Sequence, residues 1–178
     1  MSWKKNIDNL IKIHKEGSEL FDKSNGQVLY EYATGSGKSK QAIDNIAKDN
    51  EYWVILCAET AHINNWMEEF KKWKQESLLS RVQLICYASV VTYFSSVDKD
   101  YKINIVADEA HHMFSPTYYP VIVQHAAKLQ MLTATLPMES KARMQLSPRL
   151  SIVQKKVLSL TQAIRLDILP TPGIFIVP

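Results

Sequence analysis

Two periods of apolar residues alternate along the chain. Trp3, Ile7, Leu10, Ile11 and His14 recur at helical spacing until Gly17 interrupts the stripe. Asn25-Gly26 is a turn signal, followed by the short apolar run Val28-Leu29-Tyr30. A polar loop and a helical segment, 39–48, come next, then a continuous apolar strand, 52–58. Ile63, Trp66, Met67, Phe70 and Trp73 mark one face of an amphipathic helix that Thr60 is placed to cap. The pattern predicts further strands at 82–87, 103–107, 129–133, 152–158 and 174–177, and helices at 118–127, 137–146 and 160–167. Strands alternating with helices of this length imply parallel βαβ units, hence an open α/β sheet covered on both faces.

At 178 residues, 46% hydrophobic and 22% charged, the chain has the size of one domain or one lobe of something larger. Such a length buries about 70% of the unfolded surface and builds a core without staples. The two cysteines, Cys57 and Cys86, both fall inside apolar runs and read as buried thiols, too few for a structural zinc site. The first residues alternate charge with aliphatics and form no signal-peptide core, and no apolar stretch approaches 18 residues. A cytoplasmic protein without a membrane partner is expected. The net charge of +3 decides nothing about nucleic acid, although residues 116–178 carry 7 Lys/Arg against 2 Asp/Glu. That basic end is either a phosphate-binding surface or a solvated face.

Thr34-Gly35-Ser36-Gly37-Lys38-Ser39 follows a predicted strand and opens a predicted helix. Glycines at 35 and 37 let the backbone curl so that consecutive N–H groups face an anion, and the helix adds its positive dipole end. Lys38 offers a mobile charge for β- and γ-phosphates, and Ser39 a hydroxyl for Mg²⁺. Farther on, the apolar strand 103–107 ends in Asp108-Glu109-Ala110-His111. A strand terminating in two carboxylates delivers them to the carboxyl edge of the sheet, where open α/β folds bind ligands. Asp108 is the candidate Mg²⁺ ligand, through water, and Glu109 the candidate base for an attacking water.

The generic phosphate-loop pattern has Gly at position 32, where this chain has Tyr32. Ala33-Thr34-Gly35-Ser36-Gly37-Lys38-Ser39 instead resembles the variant found in superfamily 2 helicases and translocases, and Asp108-Glu109-Ala110-His111 resembles their DEAH box. Thr133-Ala134-Thr135 resembles motif III of that superfamily. The stretch from Leu56 through Asn65-Trp66 to Trp73 resembles motif Ia and its helix, with wording close to Swi/Snf-type translocases, although Ala58 stands where those usually carry Pro. Residues 86–89 with Thr92-Tyr93 resemble motif Ib, and residues 160–172 the end of a first helicase lobe.

The resemblance implies a RecA-like ATP-binding domain over residues 26–169, preceded by a helical segment, 1–25, and followed at 170–178 by a last strand or the start of an inter-lobe connection. It implies ATP and Mg²⁺ as cofactors, and nucleic acid, DNA rather than RNA, as partner. His111, Thr133 and Thr135 then couple the nucleotide site to the nucleic-acid groove. Thr60, Asn64 and Ser89 are the candidates for gripping one strand's backbone. The second RecA-like lobe and its arginine finger are absent from these 178 residues, so this stretch alone is expected to turn over very slowly. Three functions stay open: a helicase lobe, a double-strand translocase of a restriction or remodelling system, and a nucleotide-gated clamp. Trp66, Phe70 and Trp73 read as core, Tyr118 and Tyr119 as loop packing, and His14, His62 and His125 as structural or exposed, with His112 unassigned.

Overall fold

The computed structural model describes residues 3–172. Helix α1 (Ile7–Lys23) is followed by β1 (Gln27–Tyr32), α2 (Lys38–Ile46), β2 (Trp53–Cys57) and α3 (Thr60–Lys72). Then come β3 (Val82–Cys86), α4 (Val90–Ser95), β4 (Ile103–Ala107), α5 (Tyr119–His125) and β5 (Ala126–Thr133). After these the described residues form α6 (Met138–Leu146), β6 (Gln154–Leu158) and α7 (Leu160–Arg165). The six strands pair throughout in parallel, in the order β3-β2-β4-β5-β1-β6. All therefore point their carboxyl ends at one edge of the sheet. The expected α/β sheet is present; the expected strand at 174–177 lies outside the described residues.

Strand alternation divides the core into two layers. Tyr30, Tyr32, Trp53, Ile55 and Val106 face one side with Ile43, Ile46, Trp66 and Phe70. Leu29, Val54, Leu56, Ile105 and Met131 face the other with Val90, Phe94, Met113 and Ile122. Strands buried on both faces explain why they read as unbroken apolar runs. No helix among the described residues is long and apolar enough to cross a membrane.

The N-terminal helix buries a different face from the one its apolar stripe suggests. It runs through Gly17 to Lys23, and its buried positions are His14, Gly17 and Phe21, whereas Trp3, Ile7 and Ile11 are exposed. Gly17 interrupts the stripe because it is a point of close approach to the sheet. A Cβ there would lie 2.7 Å from Tyr32 Oη, and Tyr30 Oη donates to the Gly17 carbonyl at 2.6 Å. Thr60 does not cap α3: Glu59 holds the cap position, with no side-chain bond to the helix. The boundary between α5 and β5 falls at His125–Ala126, earlier than the pattern predicts, because Ala126 pairs with Ile103 across the sheet. Helix α4 is too short to leave a periodic signal. Cys57 is buried, Cys86 half-buried, and the two face each other in register as free thiols.

Gly17→Val should destabilise the fold by about 1–3 kcal/mol through overpacking against Tyr32 and Gln41. Denaturant unfolding would read this as a lower midpoint with an unchanged slope.

Candidate nucleotide site

Between the end of β1 and the start of α2 the chain turns back within Ala33–Gly37. Gly35 (φ 87°) and Gly37 (φ 80°) both sit in the left-handed region that favours glycine. Gly37 is also hemmed in, since a Cβ would lie 2.5 Å from His14 Cε1. Ser36 between them is buried, and its Oγ has no hydrogen-bond partner among the described residues. Lys38 Nζ donates to the Tyr32 carbonyl at 3.1 Å, which caps the loop's own strand. Burial lowers the Lys38 pKa, opposed by the nearby Glu109 and Asp108 carboxylates. Ser39 follows in the first turn of α2.

Strand β4 ends at Ala107, and Asp108 N still donates to Leu56 O on β2 at 3.0 Å. Both Asp108 oxygens are engaged: Oδ2 accepts from the Trp66 indole N–H at 2.9 Å and Oδ1 from Glu109 N at 3.0 Å. Burial pushes the Asp108 carboxyl up, with the Glu109 charge adding and the Trp66 bond opposing. Tyr87, whose hydroxyl is held protonated by burial, donates to the Asp108 carbonyl at 2.7 Å. Glu109 adopts φ 46°, a left-handed conformation that is costly for a side chain with a Cβ.

Lys38, Ser39, Asp108 and Glu109 line one cleft of about 450 Å³, shared with His62 and Asn65 of α3. The remaining expected residues are distributed around it. His111 Nδ1 is 3.9 Å from Glu109 Oε2, and its ring is 4.3 Å from that of His112. Thr133 is buried and Oγ1 donates to Thr135 O at 3.0 Å. Thr135 is exposed and lines a second cleft with Thr34. Thr60, Asn64 and Ser89 are exposed beyond the carboxyl ends of β2 and β3, outside both clefts. Only Thr60 reaches across, with Oγ1 4.0 Å from Cys86 Sγ.

Two contacts near the site escaped the sequence reading. Trp66 is a core residue, as expected, but its indole N–H also holds Asp108, and no periodicity connects positions 42 residues apart. His14 lies buried against the loop: Nε2 donates to Ser36 O at 3.0 Å, and the ring stacks on Tyr32. Burial lowers its pKa, with the Ser36 carbonyl opposing. Tyr118 and Tyr119 pack a loop as expected, against Tyr87 and Phe114.

The residues fit a magnesium–polyphosphate. The left-handed glycines open the loop backbone, and the unpartnered Ser36 Oγ and the Lys38 ammonium can meet phosphate oxygens. Ser39 and Asp108 are the hard-oxygen side chains that could hold such a cation. No three His, Cys, Asp or Glu side chains converge to hold a metal by themselves among the described residues.

Residues 3–138 match the family model described as "Type III restriction enzyme, res subunit". The chain belongs to this family. As a res-subunit family member it is a superfamily 2, RecA-like lobe of ATPase type. Its fold is similar to that of the Sulfolobus solfataricus SWI2/SNF2 ATPase core domain, at TM-score 0.55 and 20% identity. That match covers 82% of this chain and 34% of the other, so the chain spans about a third of that structure's length. No curated protein matches the chain.

Trp66→Phe preserves the ring packing and removes the donor to Asp108. It should weaken Mg²⁺-dependent nucleotide binding about tenfold, the low end for losing an outer-shell hydrogen bond at a metal site. Titrations with and without Mg²⁺ check this, because metal-free binding should not change.

Proposed function

We propose that the chain is the ATP-binding lobe of a motor that moves along DNA in the cytoplasm. The observation that carries this reading is the order β4-β5-β1, which gathers Asp108-Glu109, Thr133–Thr135 and the phosphate loop at one sheet edge. In the proposed cycle Lys38 exchanges the Tyr32 carbonyl for the β- and γ-phosphates. Ser39 and Asp108 would hold Mg²⁺, Asp108 through water. When bound, the cation neutralises charge that develops on the phosphate oxygens. Glu109 orients the attacking water and accepts its proton. A cleft on the other side of the loop, lined by Ile7, Leu10, His14 and Trp73, would take the nucleoside end of ATP.

His111, Thr133 and Thr135 are proposed to pass the loss of the γ-phosphate to the nucleic-acid side. There Thr60, Asn64 and Ser89 contact one strand's sugar–phosphate backbone without reading sequence. A net charge of +3 makes this lobe's own grip weak and its salt dependence shallow. A second RecA-like lobe would complete the groove and bring the arginine finger, worth about 10³ to 10⁵ in rate. Family membership favours translocation on duplex DNA over strand separation. An intact Glu109 argues against a clamp that binds without hydrolysis. Displacement of a triplex-forming strand without unwinding of a forked duplex, by the motor containing this lobe, is the result expected; unwinding alone would select the helicase reading.

Lys38→Ala removes the ammonium facing the phosphates and should abolish Mg·ATP binding in a calorimetric titration. In the two-lobed motor, Glu109→Gln should retain ATP binding while steady-state turnover falls about 10² to 10⁴-fold. Equal ATPase rates for the two proteins would remove Glu109 as the base.

A further inference from the structure

Glu31 is a buried acid on β1 that the proposed chemistry does not use. It lies two residues before Ala33, at the root of the phosphate loop, in a strand where every neighbour from Val28 to Tyr32 is apolar. In register it sits beside Thr133 of β5 on one side and Val157 of β6 on the other. Its two oxygens are both occupied. Oε1 accepts from the backbone N–H of Leu136 at 3.0 Å, and Oε2 pairs with Lys155 Nζ at 2.7 Å. Burial opposes its ionisation, yet Lys155 and the Leu136 N–H together hold its pKa below the usual carboxylate range.

Leu136 directly follows the Thr133–Thr135 loop and is itself buried in the second core layer. The loop therefore has two fastenings: Thr133 Oγ1 on the Thr135 carbonyl within it, and Glu31 on the Leu136 amide at its far end. Glu31, Thr34 and Thr135 also line one cavity of about 450 Å³, so the acid bridges the two loops below the space between them. Strand β5 lies between β1 and β4. The loop that Glu31 fastens therefore stands at the sheet edge between the strand that ends in the phosphate loop and the strand that ends in Asp108-Glu109.

We propose that Glu31 is a positioning residue that locks the Thr133–Thr135 loop to the phosphate-loop strand, so that the site distinguishes a nucleoside triphosphate from a diphosphate. The proposal rests on the nucleotide-site reading above. A carboxylate accepting a backbone amide in a buried setting makes a strong, directional tie, and an aliphatic residue there would leave the Leu136 N–H without its partner. The energetic coupling between loops requires such a shared element, biased by the ligand.

The test compares Glu31→Leu with Glu31→Gln in calorimetric titrations with Mg·ADP and with the magnesium complex of a non-hydrolysable ATP analogue. The leucine variant should bind Mg·ADP within twofold of wild type and the triphosphate analogue at least tenfold more weakly. The glutamine variant keeps an oxygen for the Leu136 amide and should preserve the triphosphate-to-diphosphate ratio within threefold. A leucine variant with an unchanged ratio, whether both affinities hold or fall together, overturns the proposal. So does a glutamine variant as damaged as the leucine one, since the Lys155 charge pair would then be the group that matters. Should Glu31→Leu not fold, amide exchange in the wild type decides. The Leu136 amide should be more protected with the triphosphate analogue than with Mg·ADP, and equal protection overturns the proposal. A wild type that binds neither nucleotide overturns the nucleotide-site reading as well, whereas normal binding with an unchanged ratio overturns only the role of Glu31.

Discussion

The two hydrogen-bond ladders that hold β5, one to β1 and one to β4, are the interaction on which the site depends. Leu29 pairs with Met131 and Met131 with Ala107, so three strands end side by side at one edge. Parallel pairing alone would align the directions; it is the insertion of β5 that sets the spacing between the phosphate loop and the Asp108-Glu109 pair. Crossovers of one hand put helices on both faces, which excludes water from the strands and leaves only their ends to carry polar chemistry. The opposite edge is pinned by charge instead. Asp49 pairs with Arg81 at 3.3 Å and Lys128 at 3.0 Å and accepts from the Trp53 indole at 3.3 Å. Burial opposes ionisation of Asp49, but the backbone N–H of Glu51, the Lys128 ammonium and the Trp53 indole N–H outweigh it and hold the carboxyl pKa low.

Much of this was legible in the sequence, for reasons that can be named. Fully buried parallel strands are continuous apolar runs, so β2 and β4 stand out within a residue or so of their true ends. The phosphate loop and the Asp108-Glu109 pair are contiguous strings whose geometry follows from local backbone rules: two glycines in the left-handed region, two acids at a strand end. What sequence could not show is contact between distant segments. Trp66 reads as a core aromatic because helical spacing reports only its burial, not the direction of its N–H. Gly17 reads as a gap in the apolar stripe because the pattern cannot see the Tyr30 hydroxyl that donates to its carbonyl. Glu31 falls just beyond the apolar run 28–30, where the pattern shows only a polar loop.

The N-terminal helix is more closely bound to the chemistry than its exposed apolar residues suggest. His14, Gln41 and Tyr32 form a connected group, in which Gln41 Nε2 donates to His14 O at 3.1 Å and Tyr32 Oη to Gln41 Oε1 at 3.0 Å. That group ties α1, β1 and α2 around the loop. The start of the helix is fastened in turn to the far end of the chain. Asn6 N donates to Asp167 O at 2.7 Å, and Asn9 Nδ2 to Leu166 O at 2.9 Å.

The position of β1 between β5 and β6 has a consequence for the order of events at the ribosome. Its partners leave the exit tunnel only after about a hundred further residues have been made. During that interval α1 and α2 can form by local contacts, but the strand between them has both of its edges unpaired. The phosphate loop is translated well before β5 and β6 and assembled only after them. Nascent chains stalled before β5 would therefore present an unpaired apolar strand to chaperones and no nucleotide site, and a ligand could stabilise the lobe only once synthesis had passed the strand that separates the two halves of its own binding edge.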